Sequence, residues 1–456
     1  MSRTASIVLA AGVGSRMRSA IPKPLHHVGG LPLLGHVLAS AAAIEPDQVV
    51  VVTGPGVAGR TVAAAAAALR PDVAIAVQDP ARGTGDAVRC GMAALTQAEG
   101  DLLVLYADTP FIAPQTLLAM RAARRAGAAV VVLGFETAAP TGYGRLMTGP
   151  DGALARIVEE ADATPAERAA TLCNGGIMML DAANAERWLA GLAAGNAQGE
   201  TYLTDLVAAA GAEGRSCAII VRPESETIGV NDRAGLAAAE AAFQSRARAA
   251  AMAGGATLTD PASVFFSWDT VLAEDVEVAP NVVFGPGVRV GRGARIRAFC
   301  HLEGCTLADG AEVGPFARLR PGAALGPGAR VGNFVEIKNA DLGAGAKVNH
   351  LSYVGDAEVG ENTNLGAGTV TCNYDGVFKH RTVIGRGAFI GSSTMLVAPV
   401  TIGAGAMTAS GSVITSDVPD GALALGRAKQ VNKPGLALRM FEKLKALKAS
   451  EQKVSG

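Results

Sequence analysis

Two cations, Arg320 and Lys338, stand eighteen residues apart, each directly after an aliphatic residue, Leu319 and Ile337. The interval matters because, from Val278 to Ile414, an aliphatic residue followed by a small one recurs at a six-residue period. The beats fall at Val278, Phe284, Val290, Ile296 and Leu302, then at Leu307, Val313, Leu319, Leu325, Val331 and Ile337, with five-residue steps at Leu307, Leu342 and Val359. Such a period is that of a hexapeptide-repeat β-helix: three short strands and three corners close each coil, and the inward aliphatics stack into a continuous core. Arg320 and Lys338 then share one outward position on consecutive coils, about 5 Å apart. Like charges so close repel; either an anion such as a sugar phosphate lies between them, or the side chains splay into water. His350, two places after Val348, also faces outward near these coils, whereas His301 is on a corner and His380 in a loop. An exposed imidazole suits a general base at neutral pH, although a lone histidine is often structural. The period breaks between Leu365 and Ile384, where TCNYDGVFKHRT is inserted. A long loop leaving a solenoid points to function.

The other half of the chain positions its polar residues differently. Aliphatic runs at Ser6 to Ala10, Gln48 to Val52, Val73 to Val77, Leu102 to Tyr106 and Val130 to Phe135 predict strands. Stretches around Val57 to Leu69, Asp86 to Glu99 and Pro114 to Ala126 predict helices. The alternation implies an α/β domain with a doubly wound, mostly parallel, Rossmann-like sheet, whose ligands bind beyond the carboxyl ends of the strands. Polar or glycine-rich clusters do follow these runs, at Gly12 to Arg16, Gln78, Asp108 and Thr141 to Arg145. LAAGVGSRM, Leu9 to Met17, leads from a strand through a glycine loop toward a helix, where backbone N–H groups can cradle phosphates. It has neither the third glycine and downstream acid of a dinucleotide fold nor the lysine of a P-loop. Arg16 and Lys23 add two cations; the alternative is a tight turn with two solvated charges.

At 456 residues the chain is expected to form more than one domain. A net charge of −1 gives no long-range attraction to nucleic acid or anionic membrane, and small-molecule chemistry is the expectation. No apolar run approaches the ~20 residues of a membrane span, and no signal-peptide pattern is evident, so a cytoplasmic location is expected. The six cysteines lack CxxC or metal-ligand spacing and are expected to be reduced packing residues.

LAAGVGSRM, the PKPL at Lys23, Gln78 with Gly83-Thr84-Gly85, LYAD ending at Asp108, GYGR at Gly142 to Arg145, Ile157-Val158-Glu159, Asn174-Gly175-Gly176 and Gly229-Val230-Asn231 occur in the order seen in sugar-1-phosphate nucleotidylyltransferases. Joined to the β-helix, nearly the whole chain resembles the bifunctional bacterial uridylyltransferase/acetyltransferase family of UDP-N-acetylglucosamine synthesis. The resemblance implies two reactions. Acetyl passes from acetyl-CoA to glucosamine 1-phosphate; then UMP passes from UTP to N-acetylglucosamine 1-phosphate, releasing pyrophosphate. It places the nucleotide and UDP-sugar on Leu9, Ala10, Ala11, Gly12, Gly14, Arg16, Lys23, Gln78, Gly83 and Thr84, and the N-acetyl sugar on Gly144, Glu159 and Asn174. Asp108 and Asn231 would hold Mg²⁺, with a helix cap the alternative for Asp108. His350 would be the general base of acetyl transfer. Arg320, Lys338, Tyr353 and Asn364 would bind glucosamine 1-phosphate. Acetyl-CoA would meet Ala367, Asn373, Tyr374, Ser392, Ser410 and Arg427, with Cys372 a bystander. A left-handed coil and a homotrimer with shared sites are also implied.

The chain departs from the family at Val13, where a lysine is usual, at Ala81, where a second base-contacting glutamine is common, and at Ala107, which replaces a glycine. A rival reading, a nucleotidylyltransferase for another hexose 1-phosphate with the β-helix acting only as an oligomerisation or regulatory module, leaves His350, the stacked cations and the Asn373-Tyr374 loop without a use. The expected domains are 1–230 for nucleotidyl transfer, 231–255 as a linker helix, 256–428 for the β-helix, and a basic amphipathic tail over 429–456.

Overall fold

The computed structural model describes residues 3–12, 14–97, 99–150, 152–192 and 198–454; Val13 lies outside the described residues. The backbone separates into two compact units, Met1–Ala253 with Phe265–Thr270, and Gly254–Val264 with Val271–Gly456.

The first unit is built on a mixed sheet containing, side by side, Cys217–Val221, Val130–Glu136, Leu172–Asp181, Asp101–Tyr106, Thr4–Ala10, Gln48–Thr53 and Ala74–Val77. The five strands expected from the aliphatic runs are all present. Residues alternate across the sheet, so Ile7, Val50 and Val104 enter one core while Val8, Val51 and Leu103 enter the core on the opposite face. A sheet buried on both faces needs unbroken apolar strands, and the sequence supplies them. The chain moves from Thr4–Ala10 out to Gln48–Thr53 and Ala74–Val77, then returns to set Asp101–Tyr106 on the other side of Thr4–Ala10. That reversal opens a crevice beyond the ends of the two central strands. Leu172–Asp181 runs antiparallel to both its neighbours, with a bulge between Asn174 and Met178.

Helices Gly56–Leu69, Thr84–Ala93 and Pro114–Arg125 cover the sheet near their expected positions. Two expectations are corrected. The glycine loop does not open into an α-helix; it passes into a three-residue 3-10 turn, Ser15–Met17, with Gly14 left-handed before it and Arg18 left-handed after it. The prolines at 22 and 24 then favour a second short turn, Lys23–Leu25, over a helix. The helix Arg233–Ala253, expected as a linker, is integral to the first unit. Its Gln244 is buried and both donates to the Phe266 carbonyl (2.7 Å) and accepts from the Phe266 N–H (2.8 Å).

The second unit is a parallel β-helix. Every aliphatic beat from Val278 to Ile337 is buried, each contributing roughly 1.5–3 kcal/mol. The short steps do not disturb the stacking: Val290 pairs with Leu307 across a coil of seventeen residues, and Leu307 with Leu325 across eighteen. The inserted loop lengthens one coil, so that Val359 pairs with Ile384. The strands form three columns, one per wall, and Glu336–Leu342 and Tyr353–Val359 each bend around a corner to join two of them. A helix, Leu436–Val454, lies near the chain's end. No helix among the described residues is long and apolar enough to cross a membrane.

Candidate active sites

At the strand reversal of the first unit, Lys23 Nζ donates to Asp108 Oδ2 and to Asn231 Oδ1 (3.2 Å), and Arg16 donates to the same Asn231 oxygen (3.1 Å). Three segments distant in sequence therefore converge on one point. A backbone bond from the Val230 N–H to the Asp108 carbonyl (2.9 Å) holds two of them together. Gly14 admits the third: a Cβ there would come within 2.7 Å of Lys23 Cβ, so only glycine leaves room for the lysine stem, at a φ of +64°.

Two cavities meet at Tyr106 and Asp108. One, of about 260 Å³, is lined by Leu9 to Gly12, Lys23, Gln78, Ala81, Gly83 and Thr84. The other, of about 370 Å³, is lined by Arg16, Thr141 to Tyr143, Asn174 to Gly176 and Asn231. Most of the expected nucleotide residues line the first; of the expected sugar residues Asn174 lines the second, while Gly144 and Glu159 line neither of the two. Gly144 and Asn174 are joined by a backbone bond of 2.8 Å, and a Cβ on Gly144 would lie 3.2 Å from Glu159. Burial pushes the Glu159 carboxyl above its usual range, opposed by a hydrogen bond from Thr204 (3.0 Å), a residue the sequence reading missed. Burial, then the charge of Glu159, also raises the Tyr106 phenol, which stays a neutral donor.

Asp108 and Asn231 present two hard oxygens to a single ammonium nitrogen, so both can face one cation. Among the described residues no group of three or more His, Cys, Asp or Glu forms a metal site. One carboxylate with one amide oxygen fits an ion that keeps water and phosphate oxygens as its other ligands, as Mg²⁺ does.

In the β-helix, Arg318 pairs with Glu336 and Leu319 with Ile337, and the Arg320 N–H donates to the Ile337 carbonyl (2.9 Å). Arg320 and Lys338 therefore stack on one wall. Lys338 pairs in turn with Gly355, where a Cβ would come within 2.3 Å of Tyr353 Oη; the missing side chain lets the phenol lie across this column. The expectation of two unpaired cations is corrected. Glu336, two residues before Lys338 on the same strand, bonds Arg320 (2.8 Å). The remaining conflict, eased in part by the charge of Asp356, is between Lys338 and Lys379 of the inserted loop: contact with Lys379, its charge, and desolvation hold Lys338 below the usual lysine range. Lys379 was not singled out from the sequence, because the break in period removes its register.

His350 stands on the adjacent wall, at the end of Lys347–His350 and just before the corner that leads to Tyr353. Its Nδ1 lies 2.8 Å from Asn333 Oδ1, its partner on the preceding coil. An amide oxygen accepts, so Nδ1 carries the proton and Nε2 is left basic. Asn364 shares that wall through the pairing of Lys347 with Asn364. Three of the residues expected at acetyl-CoA fall in one column: Leu365 pairs with Ile390 and Ile390 with Thr408, which places Ala367, Ser392 and Ser410 two residues on, on successive coils. Arg427 donates to the Ser410 carbonyl (2.7 Å). Asn373 is buried and bonded to Asp356, and Tyr374 is exposed on the loop. Cys372 is a free thiol, pushed up by burial.

Comparison with known proteins adds an independent line. Residues 6–171 match the MobA-like NTP transferase domain and 381–416 the bacterial transferase hexapeptide (six repeats). The chain is 59% identical over 447 residues to "Bifunctional protein GlmU" of Dinoroseobacter shibae, covering 98% of this chain and 99% of that protein. The proteins of the same name from Paracoccus denitrificans (58%, covering 98% and 99%) and Jannaschia sp. (57%, covering 98% of each) are similar over the same extent.

Proposed function

The chain belongs to the family of bifunctional GlmU proteins, and from that premise we propose how its two units divide two transfers. The protein transfers acetyl from acetyl-CoA to glucosamine 1-phosphate, then UMP from UTP to N-acetylglucosamine 1-phosphate with release of pyrophosphate.

Uridylyl transfer belongs to the crevice of the first unit. The attacking sugar phosphate is already anionic, so no protein nucleophile is needed; orientation and charge neutralisation are the catalysis. Gly12, Gly14, Arg16 and Lys23 bind the triphosphate, while Gln78, Gly83 and Thr84 hold the base. Gly144, Glu159 and Asn174 hold the sugar, with Glu159 accepting from ring hydroxyls. Asp108 and Asn231 would hold Mg²⁺, which when bound would neutralise phosphate charge.

Acetyl transfer belongs to the β-helix. Arg320, Lys338 and Lys379 receive the phosphate of glucosamine 1-phosphate, and Tyr353 and Asn364 its sugar. His350 Nε2 takes the proton from the 2-amino group as that nitrogen attacks the thioester carbonyl; the C–S bond breaks and coenzyme A leaves as the thiol. The column ending at Arg427, with Asn373 and Tyr374, carries acetyl-CoA. The observation that carries this reading is the crowding of Lys338 against Lys379 in the column above Arg320, since a purely structural prism gains nothing from two ammonium groups in contact.

A homotrimer completes the second site. In one chain His350 and the cation column lie on different walls. Phe299, Phe316 and Phe334 stack along a corner at 4.8 and 5.2 Å between centroids, and Phe334 and Leu351 directly follow Asn333 and His350. All four are about half exposed or more, and a contiguous apolar column of this kind favours a partner that covers it. A second copy packed there covers the column and brings its own residues to His350. Full-length protein supplied with acetyl-CoA and glucosamine 1-phosphate should release thiol, and with UTP and N-acetylglucosamine 1-phosphate should release pyrophosphate. Failure of either assay overturns the corresponding half.

A further inference from the structure

Gln78 is buried at the wall of the nucleotide cavity, and its side-chain orientation is forced. Nε2 donates both to the Gly83 carbonyl (2.9 Å) and to Asp86 Oδ2 (3.0 Å). Asp86, in the first turn of Thr84–Ala93, is itself buried and ion-paired with Arg89. Burial pushes the Asp86 carboxyl up, but hydrogen bonds from Gln78 and Arg89 outweigh it and hold it below the usual carboxylate range. A carbonyl and an ionised carboxylate only accept. Rotating the Gln78 amide by half a turn would set its oxygen against two acceptors, so the amide has one permitted orientation. Oε1 is then the atom left for a ligand in the cavity that Gln78 lines.

The edge of a uracil carries an N3–H donor, whereas cytosine carries an N3 acceptor at the same place. An oxygen fixed toward that edge accepts from uracil and is left facing a lone pair on cytosine, an unmet contact. Ala81 lines the same cavity and offers no second amide to share the discrimination. We propose that Asp86 is a positioning residue for nucleotide selectivity: it locks Gln78 with the carbonyl oxygen toward the base, and so makes the pocket choose a uracil-type nucleotide over a cytosine-type one. The proposal rests on the assignment of uridylyl transfer to this cavity.

Its test is the ratio of kcat/KM for UTP to that for CTP, measured on the full chain. Asp86→Asn preserves shape but can donate as well as accept, and Asp86→Ala removes the lock; each should lower the ratio about tenfold or more. A ratio within twofold of the parent, with UTP still turned over, overturns the proposal. Should neither variant fold, the unaltered protein decides. N3-methylated UTP lacks the donor and should compete with UTP at least about tenfold more weakly than unlabelled UTP does; equal competition overturns the proposal. A parent protein with no uridylyl transfer from UTP would remove the underlying assignment, a result distinct from either.

Discussion

The two units place chemistry in opposite ways. In the mixed sheet, Lys23, Asp108 and Asn231 come from segments far apart in sequence and converge because the strand order reverses beside Thr4–Ala10, so a single chain assembles the whole constellation. In the β-helix, related residues repeat at coil intervals and form columns along separate walls. A crevice at a strand reversal can be complete by itself. A column on a flat wall exposes one side of a site, and in the proposed homotrimer the other side comes from a neighbour.

Substitutions that act on one unit alone sharpen this contrast most. Asp108→Ala should lower uridylyl transfer about a thousandfold or more, as loss of a pre-set charge partner does, and leave acetyl transfer within twofold. His350→Ala should lower acetyl transfer on the order of a hundredfold or more and spare uridylyl transfer. Separate assays of pyrophosphate and thiol release check both, and joint loss of the two activities in either variant would break the contrast.

A smaller effect is expected within the cation column. Lys338→Ala should raise the KM for glucosamine 1-phosphate about tenfold or more, the scale of one lost charge-assisted hydrogen bond, with less change in kcat. Contact with Lys379 holds Lys338 below the usual lysine range, and a bound phosphate draws the proton back. Affinity should therefore weaken as pH rises through that lowered value. Lys379→Ala should move this limb to higher pH, which a KM-against-pH profile reads directly; an unmoved limb would contradict the coupling.

The next effect concerns the base itself. Asn333→Leu removes the acceptor that keeps the His350 proton on Nδ1. It should lower acetyl-transfer kcat about tenfold with less change in the KM for glucosamine 1-phosphate, whereas a merely structural asparagine would leave kcat in place.

The smallest effect is local order in the inserted loop. The Asp375 carboxyl is held down to about 2 by hydrogen bonds from His380, Phe378 and Val377. A depressed carboxylate stabilises above its unfolded value near 3.8 and loses that contribution as pH falls through about 2. Protection of the 375–380 amides, relative to their intrinsic exchange at each pH, should fall over that window, and Asp375→Asn should show the lowered protection already at neutral pH.

Legibility in the sequence followed the same division. In the β-helix the six-residue beat fixes register by counting, so Arg320 could be set beneath Lys338; Ala367, Ser392 and Ser410, expected only from the family resemblance, prove to share one column across the inserted loop. Counting failed where the period breaks, and Lys379 was missed for that reason. It also failed to show that Glu336, on the strand of Lys338, answers Arg320. In the sheet unit the parallel strands announced themselves as aliphatic runs, but Leu172–Asp181 did not: Asn174, Gly175 and Gly176 interrupt its apolar pattern at the bulge. Thr204 and Asp86 reach the cavities through tertiary packing alone, which no spacing along the chain encodes.

The central claim, one site complete within a chain and one completed between chains, is tested most directly by complementation. His350→Ala and Lys338→Ala chains, each defective in acetyl transfer, should recover a substantial fraction of it when assembled into mixed oligomers. Asp108→Ala and Lys23→Ala chains mixed in the same way should recover no uridylyl transfer. Absence of recovery in the first mixture, or recovery in the second, would contradict the account.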